Sequence, residues 1–247
     1  MRDPRLETRV EAQKATTGRW LTIAGALSLI LFFGGPLSAN QGMVTPLAGF
    51  AAFAIGGILG LVCTVVGLVK TFRRGLRAGR AGVLLGIVPA ALLLYGAVGS
   101  AKSPPINDIT TDLENPPAFL QASQIPANRE RDMSYPPSFK PIVKEAYPDL
   151  QPLELPVPPE KAFDLALLVA QGTPRWNITL VDRNRLFFEG HETTPMFHFR
   201  DDFVVRVTRH GGGSRVDMRS KSRDGRGDLG ANAERIRSYL AKLKASL

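Results

Sequence analysis

The stretch DFVVRVTRHGGGSRVDMRSKS, Asp202 to Ser222, holds the reading on which the fold turns. Apolar and polar residues alternate on either side of three glycines, the two-residue period of half-buried strands broken at a reversal. A two-residue turn at Gly211-Gly212 pairs His210 with Gly213, and hence Val207 with Val216 and Val205 with Met218. On the other face the same register sets Arg206 against Asp217. A slip of one residue would move every side chain to the wrong face, so agreement on both faces selects this pairing. It places Arg215, Arg219, Lys221 and Arg223 on the face turned away from Val216 and Met218, and the expectation for that stripe is a solvated sheet face.

Two more strand-like runs precede the hairpin, RWNITLVD (Arg175–Asp182) and RLFFEGHET (Arg185–Thr193). Before them PEKAFDLALLVAQG sets Phe163, Ala166, Leu167 and Ala170 on one helical face, ended by Gly172 and Pro174. After the hairpin, Leu229, Ala233, Ile236, Leu240, Leu243 and Leu247 recur at four- and three-residue steps, the stripe of an amphipathic helix with Asp228 placed as its N-cap. Helix, antiparallel β-meander and C-terminal helix over residues 159–247 predict a small two-layer α+β domain with its helices on one sheet face.

Gly225, Gly227 and Gly230 spell G-x-G-x-x-G at the entry to that last helix. A dinucleotide site needs a further parallel strand after the helix and an acidic residue about 20 positions on. The helix takes up the rest of the chain, so the dinucleotide reading fails and no cofactor is expected. The same stretch, RSKSRDGRGDLGANAERI, resembles the hallmark of the family catalogued as domain of unknown function 1499, whose members read roughly R-S-x-S-R-x-G-x-x-D-L-G-x-N-x-x-R-I. Arg219, Ser220, Ser222, Arg223, Gly225, Asp228, Leu229, Gly230, Asn232, Arg235 and Ile236 match it, while Asp224 and Gly227 depart from it. INDITTDLENPPAF, with Asn107 where many members have His, and FRDDFVVRV resemble the family's upstream segment and central strand. The resemblance covers about residues 103–247 and implies a family without an assigned activity.

Within the motif, Arg219, Ser222, Arg223, Asp228, Asn232 and Arg235 gather around a helix start. One reading is a binding site for an anionic ligand such as a lipid headgroup or an envelope polymer, since helix N-termini and arginine forks both favour anions. The other is a structural network in which Asp228 caps the helix and pairs with an arginine; caps and ion pairs use the same residue types. No catalytic set converges: there is no G-x-S-x-G elbow, and the single cysteine, Cys63, lies in an apolar stretch. His191, His198 and His210 near Asp201 and Asp202 lack metal-ligand spacing, so no metal is expected. The expectation is a binding or structural domain. The alternatives are an envelope-associated, hydrolase-like enzyme using Asp202, His198 or Asp228, and a scaffold whose last helix or linker docks a partner protein.

Upstream, residues 101–158 form a Pro-rich extended segment; 13 of the chain's 19 prolines fall at 101–160, which disfavours regular helix or central strand. Phe119, Leu120, Tyr135, Phe139, Tyr147 and Leu150 recur through it, more apolar surface than a solvated spacer needs, so much of it is expected to lie along the folded domain. Residues 20–100 contain two uncharged blocks, Trp20–Val69 and Ala81–Ala101, which read as three transmembrane helices near Trp20–Pro36, Leu47–Val69 and Gly82–Gly99, with PLSANQGMVTP (Pro36–Pro46) as the first turn. Without a small-x-small site after the leader, an uncleaved anchor is favoured over a signal peptide.

Net charge is +9, but +7 of it falls in residues 1–100 and only +2 in the remainder. The excess sits in the leader of residues 1–19 (Arg2, Arg5, Arg9, Lys14, Arg19) and in KTFRRGLRAGR (Lys70–Arg80). Both flank the spans on one side, the positive-inside pattern, and this predicts a multi-pass inner-membrane protein with a cytoplasmic leader and everything after Lys102 outside the cytoplasm. The basic balance therefore reports topology, and no nucleic acid partner is expected. The spans carry no ionisable residue, which argues against a pump or channel and for an anchor. Gly56 and Gly60, continued by Ala52 and Thr64, and Gly82, Gly86 and Ala90 form small-residue rows. Such rows let helices approach closely, either as packing of the second span on the third, the expected case, or as a homo-oligomer contact.

Overall fold

The computed structural model describes the backbone of residues 4–74, 77–101 and 103–247 and the side chains of residues 18–72, 80–101 and 103–247. Several basic side chains of the topology argument (Arg2, Arg5, Arg9, Lys14, Arg73, Arg74, Arg77) lie outside the described side chains, as does Lys102. The chain forms two compact units, residues 1–99 with 196–198, and residues 100–195 with 199–247.

The first unit holds three helices, α1 (Pro4–Asn40), α2 (Pro46–Arg74) and α3 (Arg77–Ser100). Within them Gly18–Asn40, Pro46–Phe72 and Arg80–Ser100 are long and apolar enough to cross a membrane. The first span is longer than expected, because α1 runs through Pro36 to Asn40. A proline removes one backbone donor, yet helix remains the way to satisfy the other backbone groups in an apolar medium. The turn shrinks accordingly to residues 41–45, where Thr45 caps α2 by accepting the Ala48 N–H at 3.3 Å, with Pro46 first in the helix.

The small-residue rows pack inside the unit. A Cβ added at Gly86 would meet the Gly60 carbonyl oxygen at 2.6 Å, so α2 and α3 do touch through their rows. α1 shares them: a Cβ at Gly56 would meet the Phe32 nitrogen at 2.5 Å, and one at Gly82 the Leu21 carbonyl at 2.8 Å. Thr64 satisfies its hydroxyl by donating to the Gly60 carbonyl at 2.8 Å.

The second unit is an α+β domain built on an antiparallel sheet. Its strands are β1 (Asp108–Thr110), β2 (Leu153–Leu155), β3 (Trp176–Asp182), β4 (Phe187–Thr193), β5 (Arg200–His210) and β6 (Gly213–Ser222), in the order β1-β6-β5-β4-β3. The β5–β6 register is the expected one throughout, with His210 opposite Gly213, Val207 opposite Val216, Arg206 opposite Asp217 and Val205 opposite Met218. Two short strands share the free edge of β6: β1 pairs with residues 219–221 and β2 with residues 214–216.

The helices α5 (Pro159–Gln171) and α6 (Ala231–Ala245) cover one face, with α4 (Phe139–Ala146) formed earlier in the chain. Phe163, Ala166, Leu167 and Ala170 of α5 are buried as their spacing predicts, against Phe188, Phe203, Val205, Val207, Val216 and Met218 of the sheet. α6 buries Ala233, Ile236 and Leu243, but Tyr239 takes the place given to Leu229 and Leu247, which are 62% and 57% exposed. The physical reason is where the helix starts and stops. Leu229 (φ 54°) and Gly230 (φ 87°) form a left-handed turn before it, and Leu247 lies beyond its last turn. Tyr239 donates its hydroxyl proton to the Ala166 carbonyl at 2.8 Å, which satisfies the one polar atom it brings into the core.

The opposite face differs from the expectation of a solvated stripe. The segment after β1 crosses it, and Phe119 and Ala122 pack on Phe187 and Val204, with Met133 and Leu180 against them, as a second small core. Arg219 and Lys221 lie beneath this cover, 2% and 5% exposed. The proline-rich stretch thus contributes β1, β2, α4 and two short 3-10 turns, Ala122–Gln124 and Pro126–Asn128, to the same compact unit. Its prolines are compatible with these elements, because Pro141 falls in the first turn of α4, where its missing donor costs no helical bond.

Candidate functional site

The end of the β5–β6 hairpin opposite its turn concentrates the buried charge of the domain. Successive residues of a strand point to opposite faces, so the six motif residues are divided by the sheet. On the helix side, Arg235 of α6 donates to Asp201 Oδ2 at 2.5 Å, Glu192 Oε2 at 2.7 Å, Ser220 Oγ at 2.9 Å and Asn232 Oδ1 at 2.5 Å. Asn232, fully buried, accepts the Ser220 hydroxyl at 2.7 Å and donates to Ser222 Oγ at 2.9 Å.

Asp228 does cap α6, though from two residues before the N-cap position, which Gly230 holds. Its two oxygens accept the Gly230 and Asn232 N–H groups, each at 2.9 Å. Burial pushes its carboxyl above the usual range, and the two N–H bonds oppose that rise. No arginine pairs with Asp228 among the described contacts; its partners are the two backbone donors and the Asn232 side chain.

On the other side, Arg219 grips Asp108 of β1 with a two-pronged pair, Nε to Oδ1 at 2.9 Å and Nη2 to Oδ2 at 2.8 Å. Its remaining reach goes to the carbonyls of Pro117 at 3.1 Å and Met133 at 2.9 Å. Its guanidinium also lies over the Phe119 and Tyr135 rings, 4.7 and 5.3 Å from their centroids. Lys221 Nζ donates to the same Asp108 at 2.9 Å, so two cations share one carboxylate. Arg223 forks onto Asp202, Nη2 to Oδ1 at 2.6 Å and Nε to Oδ2 at 3.0 Å, while Asn128 Nδ2 donates to Asp202 Oδ2 at 2.8 Å. Arg131 fastens the crossing segment by donating to the Ser222 carbonyl at 2.6 Å.

A second carboxylate holds that segment without any cation. Glu189 of β4 is fully buried and accepts the N–H groups of Leu120, of Gln121 at 3.3 Å and of Ala122 at 2.8 Å. Burial raises its carboxyl, against the pull of these three donors, and nearby Asp202 adds to the rise. His191, two residues further along β4, is held below its usual value by burial and then by Arg223.

The structure therefore brings Ser222, Asn232 and Arg235 together, sets Asp228 at the adjoining helix start, and separates Arg219 and Arg223 from them by the thickness of the sheet. Partners that the motif alone did not reveal are Asp108, Asn128 and Glu192. Asp201 and Asp202, adjacent in FRDDFVVRV, serve opposite faces of the sheet, and each pairs with an arginine there. His198 lies outside β5, with a left-handed backbone (φ 58°). Among the described residues no three His, Cys, Asp or Glu side chains gather as metal ligands. Gly225 (φ 78°) and Gly230 use the left-handed backbone that glycine permits, and the Asn107 side chain donates to the Gly225 carbonyl at 2.8 Å.

A family model described as a protein of unknown function (DUF1499) matches residues 108–243. Comparison with curated proteins found no match.

Proposed function

The chain belongs to the DUF1499 family, and from that premise we propose that it is a membrane-anchored protein presenting an extracytoplasmic domain that binds an anionic envelope or lipid ligand. The terminal motif is in this reading the frame of the domain, because its arginines are committed to Asp108, Asp201, Asp202 and Glu192. The observation that carries the ligand's charge is the sharing of Asp108 by Arg219 and Lys221, which leaves one more cation than carboxylate in that cluster. Localisation to the inner membrane, with the leader cytoplasmic and residues 100–247 periplasmic, rests on the basic residues flanking the spans. An anionic ligand fits a domain tethered beside a bilayer, where lipid headgroups and envelope polymers supply such groups.

Topology is tested in a Cys63→Ser background carrying Asn184→Cys, an exposed position between β3 and β4. Labelling of intact spheroplasts by a membrane-impermeant maleimide is the expected result; labelling only after lysis would overturn the orientation. Native mass spectrometry of the gently extracted full chain tests the ligand, with a retained lipid or anion expected. Arg223→Ala is expected to lower thermal stability. A variant that folds like the wild type yet loses the retained molecule would return Arg223 to a ligand-binding role.

A further inference from the structure

On the segment-covered face, a cleft of about 470 Å³ opens where Phe119, Met133, Tyr135 and Lys140 meet above Arg219. This size suits a small-molecule site. Its walls are apolar, from Pro116, Phe119 and Met133, and its polar side chains are Ser134, Tyr135, Lys140 and Arg219. Arg219 is buried at the base, with its charge shared between Asp108 and two aromatic rings. The Tyr135 hydroxyl is buried without a hydrogen-bond partner among the described residues, although a phenol in such a place ordinarily finds one. At the rim, Lys140 has only a 3.5 Å pair with Glu114, whose side chain is 91% exposed, a contact worth little in solvent. No carboxylate lines the cleft.

A rim lysine held only by an exposed glutamate, a buried arginine and an unsatisfied phenol, set in apolar walls, suit an oxyanion attached to an apolar body. We propose that this cleft is the binding site for a phosphate-type oxyanion carried on an apolar group, with Lys140 and Tyr135 donating to the oxyanion, Arg219 supplying positive potential from beneath, and Phe119, Met133 and Pro116 taking the apolar part. The proposal rests on the anionic-ligand reading above and assigns it a place. Arg219 works from beneath because its fork is already committed to Asp108, whereas Lys140 and Tyr135 have capacity to spare.

The test uses the full chain in phosphatidylcholine nanodiscs, followed by hydrogen exchange of peptides spanning residues 114–140. Dihexanoyl phosphatidic acid, dihexanoyl phosphatidylcholine and inorganic phosphate are titrated separately. Saturable slowing of exchange by the phosphatidic acid, with no effect of the phosphatidylcholine, is expected. If inorganic phosphate protects equally, the ligand is the free oxyanion; if only the phosphatidic acid protects, it is a lipid headgroup. Lys140→Ala should weaken binding roughly tenfold, the scale of one charge-assisted hydrogen bond, and Tyr135→Phe several-fold, with exchange in β5 and β6 unchanged as the control for folding. Absence of protection by both anions, equal protection by the phosphatidylcholine, or unaltered binding in both variants would overturn the site. Maleimide labelling reads topology independently, so failure here is separable from failure of the orientation.

Discussion

The two faces of the sheet are closed by different means. Toward α5 and α6 the strands present Phe188, Phe203, Val205, Val207, Val216 and Met218, and the cover is two amphipathic helices. Toward the crossing segment they present Glu189, Asp202, Arg206, Asp217, Arg219 and Lys221 around a small apolar patch, and the cover is irregular chain. An apolar face can be covered by any surface of matching shape, because the hydrophobic effect is non-directional. A charged face demands a partner for each donor and acceptor, since a buried ion left alone costs several kcal/mol. Irregular backbone suits that demand. Its carbonyls (Pro117, Met133) and N–H groups (Leu120, Gln121, Ala122) are not committed to a helix and turn to Arg219 and Glu189.

If this contrast holds, the most damaging substitution lies on the charged face. Asp108→Ala leaves Arg219 and Lys221 buried without their shared carboxylate and is expected to cost about 3–5 kcal/mol, a large part of a typical domain's stability. Denaturant unfolding of the detergent-solubilised chain measures it, and a loss under about 1 kcal/mol would show that water replaces the carboxylate and that the face is not closed. Next comes a matched pair of core truncations. Ile236→Ala on α6 should cost about 2–5 kcal/mol and weaken the whole domain. Phe119→Ala, of similar size, should chiefly speed hydrogen exchange of residues 112–135 while the β5–β6 amides stay protected. Equal, global effects of the two would mean that the segment and the helices unfold together. Asp228→Ala should lower stability by about 0.5–2 kcal/mol, the loss of a helix cap, readable as a fall in Tm.

The smallest expected effect is on pH dependence, where two titrating groups of β4, buried Glu189 and half-buried His191, act in opposite senses. Glu189 has a raised carboxyl in the folded state, so its contribution is full below about pH 4.3, the unfolded value, and is lost as pH rises through the raised value. His191 is depressed, so its contribution is present above about pH 6.5 and is lost as pH falls through the lowered value. Stability profiles of Glu189→Gln and His191→Gln separate them: the first should flatten the acid side toward higher pH, the second should remove the loss below neutrality. An unchanged profile in both would place the titrating groups elsewhere.

The parts of this protein legible in its sequence are those whose information is local. The β5–β6 register followed from six residues on each side of a glycine turn, because the two-residue period leaves one pairing that satisfies both faces. α5 followed from helical spacing, and the three spans from uncharged length, since no soluble core needs three such stretches in a row. At the ends of elements the same local reasoning slipped by a few residues, at Asn40 and at Leu229, where a proline and a left-handed turn shifted the boundary. The fate of Arg219, Lys221 and Arg223 was not legible. Alternation assigned them correctly to one face, but whether that face met water or protein depended on Asp108 and the chain after it, 86 to 113 residues away. Ion pairs leave no periodic trace, and irregular chain has no period to match. Repeats of two and 3.6 residues and hydrophobic length therefore made β3 to β6, the β5–β6 register and the three long apolar helices readable from the chain alone. That Arg219 and Lys221 are buried, that the proline-rich segment covers them and that a cleft opens there emerges only on folding, because each depends on which distant groups satisfy one another's charge.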